Sequence, residues 1–325
     1  MARIFGLLIA VGVLLVGGIA VWRSLHSTAP PSREAGRVAV EIPPPSGESG
    51  AKVVLAQTDG PDCRGEVTFD DAARRNAVSA ASLRWSPFGR AEVGWTTYWP
   101  LIAHEIGAGC SPASAVFAQH LADWQQAHGF KPSGVLEAAQ FEAMKQGWYT
   151  RRPYVAVRGK GVCPDPPAAS NLTFAAPNES YGGKRIQLRP GALAAYRQMM
   201  EAARKEIPGL KDRPQLLTIF SGFRSPESDA VRCATEHNCN GIVRAVCSPH
   251  RTGLAIDIVV GQAPGYPVDS SADANRLFMT QTDAYRWLVA NAARFGFVNY
   301  PFEPWHWEWT GEGVNGNGSA LALLN

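Results

Sequence analysis

The sequence lacks a strong excess of charge of either sign. Its 325 residues carry 31 lysines and arginines against 28 aspartates and glutamates, a formal net charge of +3 at pH 7. It also lacks a basic run long enough to follow a phosphate backbone, on which binding to nucleic acid depends. The rest of the composition is ordinary for a globular protein, with 46% hydrophobic and 18% charged residues. We therefore expect folded domains and no nucleic-acid partner.

Charge is absent from a 19-residue apolar stretch near the N-terminus, Ile4 to Trp22. About 20 apolar residues suffice for a membrane-spanning helix. A cleaved signal peptide has a shorter apolar region and small residues at the cut, but here Ser27 to Ala29 is followed by Pro30. Residues 1–23 are thus predicted to anchor the chain in the inner (cytoplasmic) membrane of the cell envelope, with a cleaved signal as the alternative. Both hypotheses place the remaining chain, with its folded domains, outside the cytoplasm.

An even number of cysteines in an exported chain predicts disulfide bonds. Proximity along the chain favours a bond between Cys63 and Cys110, and another within the group Cys233, Cys239 and Cys247. A rival hypothesis assigns that group, with His237, to a second metal site. Oxidising surroundings and the irregular spacing of these residues argue against it. The six cysteines are Cys63, Cys110, Cys163, Cys233, Cys239 and Cys247.

Composition divides the rest of the chain into four segments. Residues 24–60 are rich in proline, serine, glycine and alanine, cannot bury a core, and are predicted to form a flexible stalk. Residues 61–150 are predicted to form a small helical domain. Residues 151–180 have few periodic apolar positions and indicate a linker. Residues 181–325 are predicted to form the second domain.

The predicted helical domain contains two stretches with helical spacing of apolar residues. They run over about 115–128 and about 137–146, and a Gly-Phe–Pro-Ser-Gly turn separates them. This layout resembles the small helical peptidoglycan-binding domain found beside many cell-wall hydrolases. The alternative is a helical unit that only packs a core.

A regular alternation of strands and helices is absent from the second domain, which favours the α+β class with a small antiparallel sheet. The expected fold is therefore α+β, preceded by a small helical domain and an N-terminal membrane-spanning helix. Three strands and two helices are predicted: Leu216–Phe220, Gly253–Val260 and Pro304–Trp309, and about 191–206 and 283–295.

Side chains able to bind a metal are concentrated in two stretches, Ser248–Asp257 and Glu303–Glu308. Asp257 lies in an apolar strand, where an ionised carboxylate needs a positive partner. A metal shared with His250, seven residues earlier, would supply that charge. The alternative is an aspartate held by an arginine or by backbone amides.

The second stretch alternates its residue types along the predicted strand. Its three tryptophans share one face, which indicates core packing, and leave His306 and Glu308 on the other face. Glu303 lies three residues before His306, and the intervening Pro304 excludes a helix interior. A bend there could bring Glu303 or Glu308 beside a metal as a general base. The residues alone leave that choice open.

Arg224 lies where a predicted strand gives way to a turn, within Ser221–Ser225. A guanidinium at a strand end could bind a carboxylate or stabilise the oxyanion of a tetrahedral intermediate. A surface salt bridge is the alternative.

Together these motifs resemble the VanY-like D-alanyl-D-alanine carboxypeptidases, zinc peptidases that share a fold with the hedgehog signalling domain. The family pattern is Ser-Gly-(Phe/Tyr)-Arg, then Ser-x-His-x-x-Gly-x-Ala-x-Asp, then Glu-x-x-His, and about residues 220–308 match it in order. The resemblance implies Zn²⁺ as the cofactor. It implies that His250, Asp257 and His306 bind the zinc ion and that Glu303 is the general base. It also implies that Arg224 acts in catalysis and contacts the substrate, that Ser248 contacts the substrate, and that Glu308 supports a metal ligand.

The resemblance further implies a peptidase that hydrolyses peptidoglycan stem peptides, most simply by removing a terminal D-alanine. An L,D- or D,D-endopeptidase also fits, and a non-catalytic cell-wall binding protein is the alternative from another class. The chain departs from many relatives at Pro226–Asp229, where they carry a glutamine after Arg-Ser, and at Ala245–Cys247, where they carry Pro-Gly. We expect these departures to affect specificity more than catalysis.

Overall fold

The computed structural model describes residues 63, 65–158, 163–235, 237, 239 and 247–312. Within those ranges no helix combines the length and the apolar character needed to cross a membrane. The predicted anchor, residues 1–23, and the predicted stalk, residues 24–60, lie outside the described residues.

The first part of the chain is mainly helical. At the start of the fourth helix the Gln140 side chain accepts a hydrogen bond from the Glu137 amide at 2.9 Å. The Ser114 hydroxyl caps the third helix by accepting from the Phe117 amide at 3.1 Å. Both helices predicted from the apolar spacing are confirmed. The elements are α1 Asp70–Ser82, β1 Arg84–Trp85, β2 Glu92–Val93, α2 Trp99–Ile106, α3 Ala115–Ala127, α4 Ala138–Thr150 and α5 Pro153–Arg158.

The second part mixes helices with short antiparallel strands, which confirms the α+β class. Four of its strands form one sheet in the order β5-β6-β8-β7, with every neighbouring pair antiparallel. The elements are β3 Thr173–Phe174, β4 Gln187–Leu188, α6 Pro190–Glu206, β5 Ile219–Ser221, α7 Pro226–Thr235, β6 Ala255–Ile258, α8 Asp273–Gln281, α9 Asp283–Asn291, β7 Phe297–Asn299 and β8 His306–Trp309.

The first strand of this sheet begins later than predicted. Leu217 has a positive φ of 65°, a conformation that is rare for a branched residue and interrupts an extended run. Strand β5 therefore starts at Ile219 rather than Leu216. The helices α1, α2, α5, α7 and α8 were not predicted at all.

One buried apolar cluster runs through both parts of the chain. Trp95 and Phe117 from the helical part belong to the same cluster as Ile256 and Trp307 from the sheet, and all four are at most 2% exposed. The described residues accordingly belong to one compact unit. The domain boundaries at residues 150 and 180 remain predictions.

Three disulfide bonds account for all six cysteines. Cys63–Cys110 is confirmed, and Cys233–Cys239 is the predicted bond within the C-terminal group. The third bond joins Cys163 to Cys247 across 84 residues. The rival hypothesis of a second metal site is wrong, because all three sulfur atoms it requires are in disulfide bonds: Cys233 with Cys239, and Cys247 with Cys163.

Candidate metal centre

The three predicted ligands meet at one end of the sheet. His250 lies in a short 3₁₀ turn, Pro249–Thr252, and Gly253, with a φ of 71°, turns the chain from there into strand β6. Asp257 on β6 is the direct cross-strand partner of His306, the first residue of β8. Antiparallel pairing places such partners side by side. The Ser-x-His-x-x-Gly-x-Ala-x-Asp spacing thus corresponds to one turn followed by one strand.

The candidate ligand atoms of His250, Asp257 and His306 all lie within 4.8 Å of one another. Asp257 lies between the rings: its Oδ2 is 3.1 Å from Nε2 of His250, and its Oδ1 is 2.8 Å from Nδ1 of His306. All three residues are buried. Two imidazole nitrogens and a carboxylate oxygen are preferred zinc donors, and three protein ligands leave a fourth position open. The donor set therefore fits a catalytic zinc ion.

The orientation of His250 is fixed by the Ser-Gly-Phe-Arg turn. Its Nδ1 lies 2.7 Å from the Gly222 carbonyl oxygen, and a proton on Nδ1 leaves the Nε2 lone pair facing Asp257. A Cβ atom at Gly222 would lie 2.6 Å from Ile186 Cγ2 and 2.7 Å from the Gln187 carbonyl oxygen. Burial, with the nearby Arg224 charge, lowers the pKa of His250 to about 4. His250 is therefore neutral near pH 7, as a metal ligand must be.

His306 lies between two carboxylates. Its Nδ1 is 2.8 Å from Asp257 Oδ1, and its Nε2 is 3.4 Å from Glu308 Oε1. Burial opposes the charged ring, but the hydrogen bonds to Asp257 and Glu308 outweigh it and raise the pKa of His306 to about 9. Glu308 thus contacts the ring nitrogen that does not face Asp257. That is the usual place for a carboxylate that orients a metal-binding histidine.

Glu303 enters the site from a turn between β7 and β8. The Glu303 amide donates to the Tyr300 carbonyl at 2.8 Å, and the His306 amide donates to the Glu303 carbonyl at 2.9 Å. The Glu303 side chain lines the same cavity as the three candidate ligands. Burial raises its pKa, and the Asp257 charge acts in the same direction. A carboxylate with a raised pKa is suited to accepting and releasing a proton near neutral pH.

Arg224, three residues after the end of strand β5, belongs to a polar network at the cavity. It donates from Nε to Asp229 Oδ1 at 3.0 Å and from Nη1 to the Ser221 hydroxyl at 2.8 Å. Ser248 donates to Asp229 Oδ2 at 2.8 Å and lies 3.4 Å from Arg224 Nη2. Asp229 therefore connects both predicted substrate contacts. Its position five residues after Arg224, among the departures from the family pattern, was the one sequence signal for it.

Three further residues near the centre were missed by sequence reasoning. Arg152 lies in a segment that resembled a linker, yet its Nε and Nη2 donate to Glu308 Oε1 at 2.7 and 2.6 Å. The Tyr154 amide donates to the other Glu308 oxygen at 3.0 Å. Tyr300 stacks its ring 4.1 Å from the Arg152 guanidinium. No motif or periodicity marks these positions, because their roles depend on tertiary contacts.

The site opens into a cavity of about 440 Å³. Its lining includes more basic than acidic side chains away from the candidate ligands. The basic lining residues other than Arg152 are Arg158, Lys184, Arg224 and Arg232, and the acidic ones besides Asp257 are Asp269 and Glu303.

Residues 185–312 match the family model described as VanY, D-alanyl-D-alanine carboxypeptidase. Several solved structures are similar to parts of the chain, two of which are described here. One is that of the LdcB LD-carboxypeptidase, described as revealing the molecular basis of peptidoglycan recognition: identity is 23%, coverage is 44% of this chain and 69% of that one, and the TM-score is 0.32.

The second is a mutant of the vancomycin resistance D,D-pentapeptidase VanY from a VanB-type cassette, in complex with Zn(II). Identity is 18%, coverage is 50% of this chain and 98% of that one, and the TM-score is 0.28. Overlaps of this extent do not establish a common overall architecture. No curated protein matches the chain. The family model is a direct match, however, and it confirms the resemblance drawn from the motifs over this part of the chain: residues 185–312 are similar to the VanY D-alanyl-D-alanine carboxypeptidases.

Proposed function

We propose that this chain is a zinc-dependent peptidase that hydrolyses peptidoglycan stem peptides, and that it removes a terminal D-alanine. The observation that carries the proposal is convergence on one cavity: a three-donor metal site, the Glu303 carboxylate and the Arg224 guanidinium all line it. A protein that only binds cell wall would not need these groups together in one cavity.

The chemistry follows from the placement of these side chains. His250, Asp257 and His306 would hold a zinc ion, which would supply Lewis-acid chemistry for the scissile carbonyl and for a water molecule. Glu303 accepts the proton of the attacking water and returns it to the leaving amine. Arg224 stabilises the negative charge that develops on the carbonyl oxygen.

The charge of the cavity favours a carboxypeptidase over an endopeptidase. Within the described ranges, neither Arg158 nor Lys184 has an acidic side chain within ion-pair distance, and both are exposed at the cavity lining. Unpaired cations beside a cleavage site suit a substrate with a free terminal carboxylate. An endopeptidase acts on chains whose cleavage site lies far from such a terminus.

The test is product analysis by mass spectrometry with purified, zinc-loaded protein. A disaccharide pentapeptide should lose one D-alanine, and the same peptide with an amidated C-terminus should react more slowly. The Glu303→Gln variant should bind zinc and release no product above background. Cuts within the stem or in cross-linked muropeptides would instead show an endopeptidase. Zinc binding without hydrolysis of any of these substrates would favour the binding role.

We also propose that the catalytic part is held at the outer face of the inner membrane by residues 1–23. The support is the uncharged run Ile4–Trp22 and the peptidoglycan-directed family of residues 185–312. Membrane fractionation should find the full chain with the inner membrane, and accessible to protease from the outer side. Recovery of a shortened, soluble chain would show that a signal peptide is cleaved.

A further inference from the structure

The active-site loop, residues 300–308, carries three of the residues assigned above: Glu303, His306 and Glu308. Two buried ion pairs link the helical segment, residues 65–158, to this loop, the first directly and the second through Arg276 on helix α8. One pair is Arg152 with Glu308, and the other is Glu92 with Arg276. Both Arg152 and Glu92 lie outside residues 185–312, the range that matches the family.

The first pair acts on the metal-ligand side of the loop. Arg152 and Glu308 have side chains 4% and 3% exposed and approach to 2.6 Å. The Tyr154 amide holds the second Glu308 oxygen, so both carboxylate oxygens are fixed by residues just after helix α4. Glu308 Oε1 also lies 3.4 Å from Nε2 of His306. Glu308 is therefore held in a fixed orientation beside the His306 ring.

The second pair acts on the other side of the loop. Arg276 is fully buried, and it donates to the Phe302 carbonyl at 2.7 Å and to the Pro301 carbonyl at 2.9 Å. These are the two peptides immediately before Glu303. Glu92 on strand β2 lies 3.3 Å from Arg276. Burial raises the pKa of Glu92, whereas the Arg276 charge opposes that rise.

Glu92 is itself held in place by hydroxyl groups. Thr280 donates to its Oε2 at 3.1 Å, and Tyr98 donates to its Oε1 at 3.3 Å. The chain of contacts thus runs from the helical segment through Glu92 and Arg276 to the backbone that carries Glu303.

We propose that the helical segment is a positioning part of the active site. Arg152 orients His306 through Glu308, and Glu92 orients the Glu303 turn through Arg276. The inference rests on the proposed function, since it assigns these residues to the metal ligand and the general base. Buried ion pairs add little net stability, because the loss of hydration offsets their attraction. What they supply here is a fixed geometry at both ends of a loop.

The effects of the two ion pairs should be distinguishable by experiment. Arg152→Met leaves Glu308 buried without a cation, so the matched variant Arg152→Met with Glu308→Gln removes both charges together. We expect zinc affinity, measured by chelator competition, to fall about 10- to 100-fold in this double variant, as for other residues that support a metal-binding histidine. The visible spectrum of the cobalt-loaded protein should change. Arg152→Lys should recover part of the affinity, because it restores charge without the paired donors.

Changes to the Glu92–Arg276 pair should lower turnover and leave zinc affinity unchanged. Glu92→Gln keeps the side-chain shape and its acceptor oxygen. We expect zinc affinity within about twofold of the starting protein, with kcat about 10- to 100-fold lower and KM unchanged, because a misplaced base loses rate without losing binding. Arg294→Met is the control: it removes an ion pair to Glu206 that is half-exposed, and should alter none of these values.

Melting temperatures of all variants complete the test. If the Arg152 and Glu92 variants melt lower but keep zinc affinity, cobalt spectrum and kcat, the pairs only stabilise the fold and the inference is overturned. If the unmodified chain binds zinc but hydrolyses no stem peptide, the proposed function fails. The zinc affinity of the Arg152 variants then still tests whether Arg152 positions His306. If the unmodified chain binds no zinc, both fail.

Discussion

Glu303 differs from the other carboxylates of the site in its environment. Asp257 faces two imidazoles and Glu308 faces Arg152, and both have lowered pKa values. Glu303 has a raised pKa, because burial dominates and the Asp257 charge adds to it. Carboxylates whose pKa values are driven apart in this way take different roles. Two are fixed as anions, and one is able to exchange a proton.

This difference predicts the acid limb of the pH profile. As pH falls through its raised pKa, Glu303 becomes protonated and can no longer accept a proton, so activity should be lost on the acid side. The midpoint of the limb in kcat/KM should lie above 4.5, the ordinary glutamate value. The measurement is kcat/KM against pH under constant zinc saturation. A limb at or below 4.5 would assign the proton transfer to another group.

A second prediction concerns proton release on zinc binding. With a pKa of about 9, His306 is protonated at pH 7, whereas His250, with a pKa of about 4, is not. A metal must displace the His306 proton, so zinc affinity should rise about tenfold per pH unit between pH 7 and 9 and then level off. Calorimetry in buffers of different ionisation enthalpy should count about one proton released per zinc at pH 7. Release of no proton would contradict the assignment of His306 as a ligand.

At this scale the proximity of the three candidate ligands could be predicted, and the residues that support them could not. His250, Asp257 and His306 are separated by spacings that a turn and a strand pair convert directly into proximity. Arg152 lies 156 residues from its partner Glu308, and no local pattern specifies a contact at that separation. Asp229 is intermediate: its place beside Arg224 was visible as a departure from the family pattern, but its contact with Ser248 was not.

At the scale of elements, the Ser-Gly-Phe-Arg turn works through backbone rather than side chains. The Gly222 carbonyl orients His250, and the Arg224 amide donates to the His250 carbonyl at 3.3 Å. Strand β4 passes so close that no side chain fits at Gly222. The glycine therefore permits the approach of strand and turn that places His250.

Gly222→Ala should consequently damage both stability and the metal site. The added methyl group would meet Ile186 and the Gln187 carbonyl, and overpacking of this kind costs about 1–3 kcal/mol. Zinc affinity should also fall, because the carbonyl that orients His250 must move. Denaturant unfolding and chelator competition measure the two effects.

The matched control is Gly147→Ala in helix α4, where an added Cβ has no neighbour within 4 Å. That change should stabilise the chain by about 0.5–1 kcal/mol, since alanine favours helix over glycine. Equal behaviour of the two variants would show that Gly222 has no special role.

Elements with strong periodicity could be predicted, and those set by tertiary contact could not. Helix α6 and strand β8 follow from their apolar spacing alone. Helix α7 begins at Pro226 and has a mainly exposed polar surface with only Asp229 and Cys233 buried, so it offers little apolar rhythm. Strand β5 was placed too early, because nothing in the residue type of Leu217 signals a positive φ.

At the scale of the whole molecule, the Cys163–Cys247 disulfide closes the longest loop of the three, with its ends 84 positions apart in the sequence. Cys247 directly precedes Ser248, and its carbonyl accepts a hydrogen bond from the Tyr154 hydroxyl. The bond thus fixes the chain at the edge of the active-site cavity.

Replacing both cysteines by serine should lower the free energy of unfolding by about 2–5 kcal/mol, because the unfolded chain gains the freedom of a long loop. The comparison is the Cys233–Cys239 bond, whose ends are 6 residues apart and whose removal should have a smaller effect. Urea unfolding of both double-serine variants measures the difference. A larger loss from the short loop would contradict the chain-entropy account.

The sequence could predict the order of segments but not how they share a core. Composition and spacing separated a helical part from a mixed part, and both are present. The apolar residues that join them, such as Trp95 and Trp307, look like ordinary core positions in each part taken alone. Their common cluster is a property of the packed chain.

The buried Arg152–Glu308 pair has a consequence for how such chains diverge. An ionised carboxylate at the position of Glu308 is tolerable only while a cation reaches it from outside residues 185–312. A relative that lost the helical segment would have to replace that glutamate, or acquire an internal cation, at the same evolutionary step. Changes at positions 152 and 308 should therefore be inherited together, and the same holds for positions 92 and 276.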